Sequence, residues 1–286
     1  MSTQNNKIFG IFFELLLFCV VFLCEISKKF VIFVVFYKKM VYNRIMDIKF
    51  DLHTHTLASG HHTTDTLTMM AERAKNLGFS YLGITDHAPK MQGSATVSYF
   101  RNLKYADKKL YGVNILYGAE LNVITTDGKV DLPWDVLESL DFCLASLHQK
   151  TFPPKDKEKN TTALINVMKN PFVLGICHPD DPIYSIDEEA LVHYAKETGT
   201  LLEVSSVGIN PDGYRNQNVE WLIKMLLECK RKGAYIFLGS DSHGKDNIGN
   251  FKNSLKLLEM LDFPKKLIVN YDEDLFFYLL NKKKNS

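Results

Sequence analysis

Seven short apolar runs recur along the chain, and segments with a helical spacing of apolar residues lie between several of them. The runs end near residues 52, 84, 117, 145, 177, 204 and 238. The intervening helical segments distinguish a strand and helix repeat from a string of hairpins. Such a repeat predicts a parallel sheet covered by helices on both faces, which is an α/β fold.

Four segments carry a helical stripe of apolar residues: 67–77, 191–195, 219–227 and 252–261. Ser185 and Glu188 have the spacing of a capping box, and they predict the start of the second helix. Gly78, Gly199 and Gly233 follow the first three stripes. Because glycine commonly ends a helix, we expect these three helices to stop there.

Side chains that bind divalent metals follow the predicted strands. His53 and His55 come after the first run, and residues at i and i+2 of an extended strand point to the same side, so both imidazoles can face one ion. His61 follows in the same segment, and further candidates follow the later runs: Asp86, His87, Glu120, His148, His178, Asp241 and His243. Imidazoles and carboxylates without thiolates suit zinc, manganese or iron.

The positions of these side chains favour a closed barrel over an open sheet. In a parallel barrel the functional groups gather at the carboxyl ends of the strands, so residues far apart in sequence are expected to meet at one mouth. An open doubly wound sheet normally carries a glycine-rich loop such as GxGxxG after its first strand. The sequence has no such loop there.

The ordered motifs resemble those of the PHP (polymerase and histidinol phosphatase) family, in its stand-alone phosphatase branch. The matching residues are His53-Thr54-His55, His61, Ile84-Thr85-Asp86-His87, Gly118-Ala119-Glu120, His148, His178-Pro179 and Gly239-Ser240-Asp241-Ser242-His243. The resemblance extends from about residue 46 to the C-terminus. It implies a distorted (β/α)7, TIM-like barrel with a metal site at the C-terminal ends of its strands.

The resemblance also implies three divalent metal ions, with zinc as the first choice and manganese or iron as alternatives. Nine residues carry over as ligands in three groups: His53, His55, Glu120 and Asp241; then Glu120, His148 and His178; then His61, His87 and His243. Glu120 bridges the first two positions in this scheme. His62 is adjacent to His61 and stays an alternative ligand of the third ion.

Such a cluster predicts hydrolysis of a phosphate monoester of a small metabolite. Metal ions lower the pKa of a bound water from about 16 to about 7, so a bridging hydroxide is available as the attacking group at neutral pH. Glu120 and Asp241 are the predicted catalytic residues, and Asp241 is expected to orient the attacking water. Asp86, Ser240 and Ser242 are candidates to orient the imidazoles, and Arg215 is the candidate to contact substrate.

Three other functions stay open. The substrate can be histidinol phosphate itself, the reaction can be a 3'-5' exonuclease type of DNA-end processing, or the domain can bind metal without catalysis. The chain has 34 basic and 33 acidic residues and a net charge of +1, so it has no basic field to attract nucleic acid, and we expect a small phosphorylated partner instead. Five cysteines without CxxC spacing favour a reduced, cytoplasmic setting.

The first 45 residues form a separate hydrophobic extension, and residues 46–286 form the predicted catalytic domain. Residues 8–24 are apolar except for Gly10 and Glu14, and lysines follow them. A run of this length is at the lower limit for a membrane span, so one interpretation is an anchor and a membrane-associated protein. The interpretation that we favour is a miscalled start, with Met46 as the first residue.

Overall fold

The computed structural model of the protein describes residues 47–210 and 218–285. Three predictions concern residues outside these ranges: the hydrophobic extension, the start at Met46 and the substrate contact of Arg215. From Ile48 onward the chain forms one compact unit. Among the residues described, no helix is both long and apolar enough to cross a membrane.

Nine strands lie within the described part of the chain, most of them where the apolar runs predict them. They are β1 (Phe50–Asp51), β2 (Tyr81–Ile84), β3 (Lys109–Leu110), β4 (Val113–Tyr117), β5 (Glu120–Asn122), β6 (Cys143–Ser146), β7 (Val173–Ile176), β8 (Leu201–Ser205) and β9 (Ile236–Gly239). Every strand is short, and β4 to β9 are almost entirely buried. Burial on both faces explains why these strands appear as continuous apolar runs in the sequence.

Eight α-helices lie between or after the strands of the described residues. They are α1 (Leu67–Asn76), α2 (Val97–Asn102), α3 (Trp134–Ser139), α4 (Lys157–Val167), α5 (Glu188–Thr198), α6 (Val219–Lys232), α7 (Lys252–Met260) and α8 (Glu273–Lys284). Gly199 and Gly233 end α5 and α6 in the left-handed conformation, as predicted. The predicted capping box is wrong: α5 begins after Asp187, whose side chain accepts a hydrogen bond from the Ala190 amide at 3.0 Å.

The strands form two sheets, one with the order β1-β2-β4-β3 and one with the order β5-β6-β7-β8-β9. Neighbouring strands are parallel throughout, except for the antiparallel pair of β3 and β4. The predicted α/β fold with a parallel sheet is therefore confirmed. The strand β3 is only two residues long and was not predicted.

Two isolated parallel bridges connect the two sheets just beyond the strand ends. Thr54 after β1 pairs with Ser242 after β9, and His87 after β2 pairs with Glu120 at the start of β5. The His55 amide donates to the Ser242 carbonyl at 2.8 Å across the first bridge. All five of these residues are predicted ligands or their direct neighbours, so the same contacts that link the sheets also bring the ligand loops together.

The hydrophobic core combines side chains of both sheets with the C-terminal helix. Its buried members include Phe50, Leu144 and Phe237 from the strands, and Phe276 from α8. The rings of Phe50 and Phe276 lie 4.8 Å apart between their centroids. Burying side chains of this size contributes roughly 1.5–3 kcal/mol each, so this packing fixes the strands whose ends carry the polar residues.

Candidate metal centre

Glu120 occupies the centre of a cluster of histidines and is completely buried. Its Oε2 atom lies 2.7 Å from His87 Nδ1, 3.5 Å from His53 Nε2 and 3.6 Å from His55 Nε2. These three histidines follow β1 and β2, whereas Glu120 begins β5. One carboxylate oxygen therefore faces imidazoles from two neighbouring strands.

The other oxygen of Glu120 faces a different pair of imidazoles. Oε1 lies 2.8 Å from His178 Nε2 and 3.3 Å from His148 Nε2. His148 follows β6 and His178 follows β7. The carboxylate thus stands between two groups of histidines, which is the arrangement expected of a residue that bridges two metal positions.

Asp241 is the second carboxylate of the cluster. Its Oδ1 atom lies 3.4 Å from His55 Nε2 and 3.6 Å from both His53 Nε2 and His243 Nδ1. Its side chain is 10% exposed, in contrast to the fully buried Glu120 side chain. Asp241 therefore reaches the same two histidines as Glu120 from a more accessible position.

The rings of His61, His87 and His243 form a third group. Their centroids are 4.7 Å apart for His61 and His87, 5.0 Å for His61 and His243, and 5.6 Å for His87 and His243. His62 is farther away, with its ring 6.2 Å from that of His243. His55 also approaches this group, because its ring lies 4.3 Å from both His87 and His243.

Several buried polar atoms of the cluster make no hydrogen bond of acceptable geometry, although His87 Nδ1 and Glu120 Oε2 form an ion pair at 2.7 Å. They are His53 Nε2, His55 Nε2, His87 Nδ1, His243 Nε2 and Glu120 Oε2, and in the described residues only Arg73 Nε shares this condition. An unsatisfied buried polar group costs about 1–3 kcal/mol, so five in one place are unfavourable unless something else binds them. Imidazole nitrogens and carboxylate oxygens are the ligands of zinc and similar ions, and the cluster fits a metal site.

Hydrogen bonds on the far side of three rings direct their Nε2 atoms inward. Each Nδ1 atom contacts a side-chain oxygen: His53 contacts Glu203 at 2.7 Å, His55 contacts Ser59 at 2.9 Å and His148 contacts Asn122 at 2.7 Å. Metal-binding histidines characteristically donate their second ring N–H in this way. Ser59 and Asn122 were not predicted to have this role, since a single polar residue in a loop or strand has no distinctive pattern.

Ser240, Ser242 and Asp86 were predicted to orient the imidazoles, but their side chains make other contacts. Ser240 Oγ donates to the His53 carbonyl at 3.4 Å, and Ser242 Oγ donates to the Gly244 carbonyl, so both contact main chain rather than a ring. Asp86 accepts the Ser59 hydroxyl at 2.8 Å and the Tyr99 hydroxyl at 2.7 Å. Asp86 therefore acts on His55 only indirectly, by holding Ser59.

The electrostatic environment keeps Glu120 ionised. Burial alone raises the pKa of its carboxyl group, but the charges of His87, His148 and His53 outweigh burial and leave the pKa well below the ordinary value. Burial lowers the pKa of His55 and of His148, whereas at His53 and His87 the neighbouring acidic groups outweigh burial and raise the pKa. A cation binds to ionised carboxylate and neutral imidazole, so metal binding at this cluster would displace protons from His53 and His87.

Two residues of the cluster have a strained backbone. His178 has φ 31° and Asp241 has φ 50°, both in the left-handed region that residues other than glycine seldom adopt. Such conformations cost roughly 1–3 kcal/mol and concentrate at functional sites. The strained backbone at these two strand ends fixes the direction of the His178 and Asp241 side chains at the expense of local stability.

Comparisons with known proteins identify the family of the chain. A sequence profile of the PHP domain matches residues 51–229. The chain is 43% identical over 235 residues to a protein of Clostridium novyi named "Probable phosphatase", with 82% of this chain and 95% of that protein covered. A protein of Caldicellulosiruptor saccharolyticus with the same name is 41% identical over 235 residues, with 82% and 97% covered.

The fold is also similar to a solved structure of histidinol phosphate phosphatase from Lactococcus lactis, which is complexed with zinc, L-histidinol and phosphate. The TM-score is 0.52 at 16% identity, and the likeness covers 76% of this chain and 94% of that one. At this identity the likeness concerns the fold alone.

The chain therefore belongs to the PHP-domain family. Within that family it is a phosphatase, and hence a hydrolase. The buried cluster of histidines around Glu120 fits a metal site.

Proposed function

We propose that the protein hydrolyses a phosphate monoester of a small metabolite with divalent metal ions held around Glu120. The observation that carries the proposal is the convergence of five unsatisfied buried nitrogen and oxygen atoms on one point of the fold. Strands β1, β2, β5, β6, β7 and β9 all contribute a residue there, directly or just after their ends.

The two oxygens of Glu120 support two adjacent metal positions. The first is assigned to His53, His55, Glu120 and Asp241, and the second to Glu120, His148 and His178. A third position is assigned to His61, His87 and His243. His61 is preferred to His62 because its ring is closer to that of His243, at 5.0 Å against 6.2 Å. Zinc is the first choice of metal, with manganese or iron as alternatives.

Bound divalent ions supply an activated water at neutral pH and neutralise the charge of the phosphate oxygens. Glu120 contributes a negative charge between two positions without being exposed to the substrate. Asp241 has the accessible carboxylate, and we assign it the role of orienting the attacking water through its side-chain oxygens. The surrounding hydrogen bonds to Glu203, Ser59 and Asn122 keep the rings in place during the reaction.

The two bridges between the sheets support closure into a distorted barrel of seven parallel strands. If β4 and β5, which only two residues separate, are counted as one interrupted strand, seven parallel strands remain beside the antiparallel β3. The Thr54 and Ser242 bridge then joins β1 to β9, and the His87 and Glu120 bridge continues the pairing of β2 with the interrupted strand. The residues assigned to the metal positions then surround one mouth. The catalytic domain is assigned to residues 46–286, after the hydrophobic extension of residues 1–45, and its location to the cytoplasm.

A substrate panel tests this proposal. The full chain is assayed for release of inorganic phosphate from p-nitrophenyl phosphate, from L-histidinol phosphate and from other small monoesters, and a labelled oligonucleotide is included for nuclease activity. Histidinol phosphate belongs in the panel because the Lactococcus lactis enzyme of similar fold holds histidinol and phosphate. Turnover of monoesters is expected, whereas cleavage of the oligonucleotide alone would contradict the proposal.

The panel needs a matched pair of variants. Glu120→Gln removes the central charge with little change in shape and is expected to abolish turnover. Glu72→Gln makes the same chemical change at an exposed position on α1 and is expected to retain it. Equal activity of both variants would exclude a role for the cluster.

A further inference from the structure

A second buried carboxylate lies behind the cluster. Glu203 is in the middle of β8, and its side chain is completely buried. Its two oxygens have different partners: Oε1 accepts a hydrogen bond from His53 Nδ1 at 2.7 Å, and Oε2 accepts one from the His178 amide at 2.6 Å. One carboxylate thus contacts a ring after β1 and the backbone after β7.

The neighbouring strand leaves space for this carboxylate. A Cβ atom added to Gly239 of β9 would lie 1.8 Å from Glu203 Oε1 and 3.1 Å from the His53 Cβ atom. Any side chain at position 239 would therefore displace the carboxylate or the ring. The absence of a side chain at Gly239 is a condition for the pair of Glu203 and His53 to form.

The contact with His53 determines which ring nitrogen faces the cluster. An acceptor at 2.7 Å places the ring proton on Nδ1, so the lone pair is on Nε2. That Nε2 atom is one of the unsatisfied atoms, and it lies 3.5 Å from Glu120 and 3.6 Å from Asp241. Glu203 therefore presents His53 as a ligand of the first metal position.

The contact with His178 acts through the backbone. His178 has φ 31°, and the short hydrogen bond from its amide to Glu203 holds this strained conformation. In that conformation His178 Nε2 lies 2.8 Å from Glu120 Oε1. Glu203 therefore also sets the position of a ligand of the second metal position.

We infer that Glu203 is a positioning residue that couples two metal positions, with one carboxylate oxygen assigned to each, and that Gly239 is needed to accommodate it. The inference rests on the proposed function of the cluster. Both partners of Glu203 are N–H donors, so two acceptor oxygens are required. A glutamine offers one acceptor and would turn its amide N–H groups toward the other donor.

The test measures metal affinity instead of activity. Wild type, Glu203→Gln and Gly239→Ala are loaded with zinc, and bound metal per chain and affinity are measured by elemental analysis and chelator competition. Loss of a partner that orients a metal-binding histidine typically weakens binding by about 10- to 100-fold. We expect both variants to show this loss at two positions together while the third retains its metal.

Asn160→Ala is the matched control for general destabilisation. Asn160 is a buried polar residue of α4 that bonds to Lys155 and Ser185 and does not touch the cluster in the described structure. This variant is expected to unfold at a lower temperature than wild type with unchanged zinc affinity. Zinc affinity that falls as much in Asn160→Ala as in Glu203→Gln would overturn the inference.

Nitrogen NMR of the histidine rings in zinc-loaded wild type gives a test that does not depend on a folded variant. We expect His53 to carry its proton on Nδ1. A proton on Nε2, or wild-type affinity in Glu203→Gln, would overturn the inference and leave the metal centre intact. Wild type that binds no zinc would overturn the metal centre itself, and the inference with it.

Discussion

Glu120 and His178 are 58 residues apart in the chain, yet the Nε2 atom of His178 lies 2.8 Å from the Oε1 atom of Glu120. The parallel sheet brings them together, because Glu120 begins β5 and His178 follows β7 two strands away. With the other oxygen of Glu120 facing His53, His55 and His87, this contact makes the carboxylate the shared element of two groups of ligands.

Replacing Glu120 is predicted to affect two metal positions at once. Glu120→Gln removes the bridging charge, and we expect this to cost about 4 kcal/mol of transition-state stabilisation. That cost corresponds to roughly a 10³-fold loss of rate. Metal per chain and phosphate release are measured on the same preparation. Full metal occupancy in this variant would contradict the assignment.

His61 and His62 are predicted to differ. His61→Ala should remove the metal of the third position alone, because the His61 ring lies 4.7 Å from that of His87 and its Nδ1 atom is already bonded to the Ser59 carbonyl. His62→Ala should retain all metals. Elemental analysis of both variants checks this, and the reverse pattern would transfer the ligand role to His62.

Gly60 is predicted to be essential for the loop that carries His61. It has φ 77°, and an added Cβ atom would lie 1.7 Å from the Gly93 carbonyl oxygen. Gly78 has nearly the same φ, 78°, with nothing within 4 Å, so Gly78→Ala is the matched control for backbone strain. The Gly78→Ala substitution should lower the free energy of unfolding by about 1–2 kcal/mol.

Gly60→Ala should cost more than the control and also lower occupancy of the third metal position, since the clash displaces the loop. Urea unfolding and elemental analysis of both variants provide the comparison. Equal destabilisation with unchanged metal content would show that the contact between the two loops has no effect on His61.

The contribution of Lys283 to the stability of the protein is predicted to rise with pH. Burial lowers the pKa of this ammonium group from 10.5 to about 8, while its Nζ donates to the Met168 and Thr198 carbonyls at the ends of α4 and α5. Between pH 8 and 10.5 the unfolded chain binds more protons than the folded one, so the contribution of Lys283 to the free energy of unfolding increases with pH.

The size of this effect is about 1 kcal/mol between pH 7 and pH 9. It is measured as the difference in urea unfolding between wild type and Lys283→Met, because the methionine variant lacks this titration and shares the other groups. A difference that is constant across this interval, or that falls as pH rises, would contradict the prediction.

The sequence predicted the parts of the fold that repeat. Buried strands have continuous apolar runs, and the i and i+2 spacing of His53 and His55 survives as two rings on one side of Glu120. The strand β3 was missed because two residues contain no periodicity. It pairs with β4 through a tight turn at Tyr111 and Gly112, both with positive φ.

The residues that hold the cluster were harder to predict. Glu203 lies inside the apolar run of β8, where the sequence alone does not indicate its partner, and the structure pairs it with His53. Ser59 and Asn122 are short polar residues whose role depends on partners brought close by the fold. Contacts across strands are set by three-dimensional packing, which spacing along one strand does not encode.

The most direct test of the metal-dependent centre is one measurement on the purified full chain. Divalent metal per chain is determined by elemental analysis, and hydrolysis of p-nitrophenyl phosphate is followed before chelation, after chelation and after metal is restored. We predict about three ions per chain, as the three ligand groups require, with turnover that disappears on chelation and returns with metal. Turnover that is unaffected by removal of all metal would contradict the account.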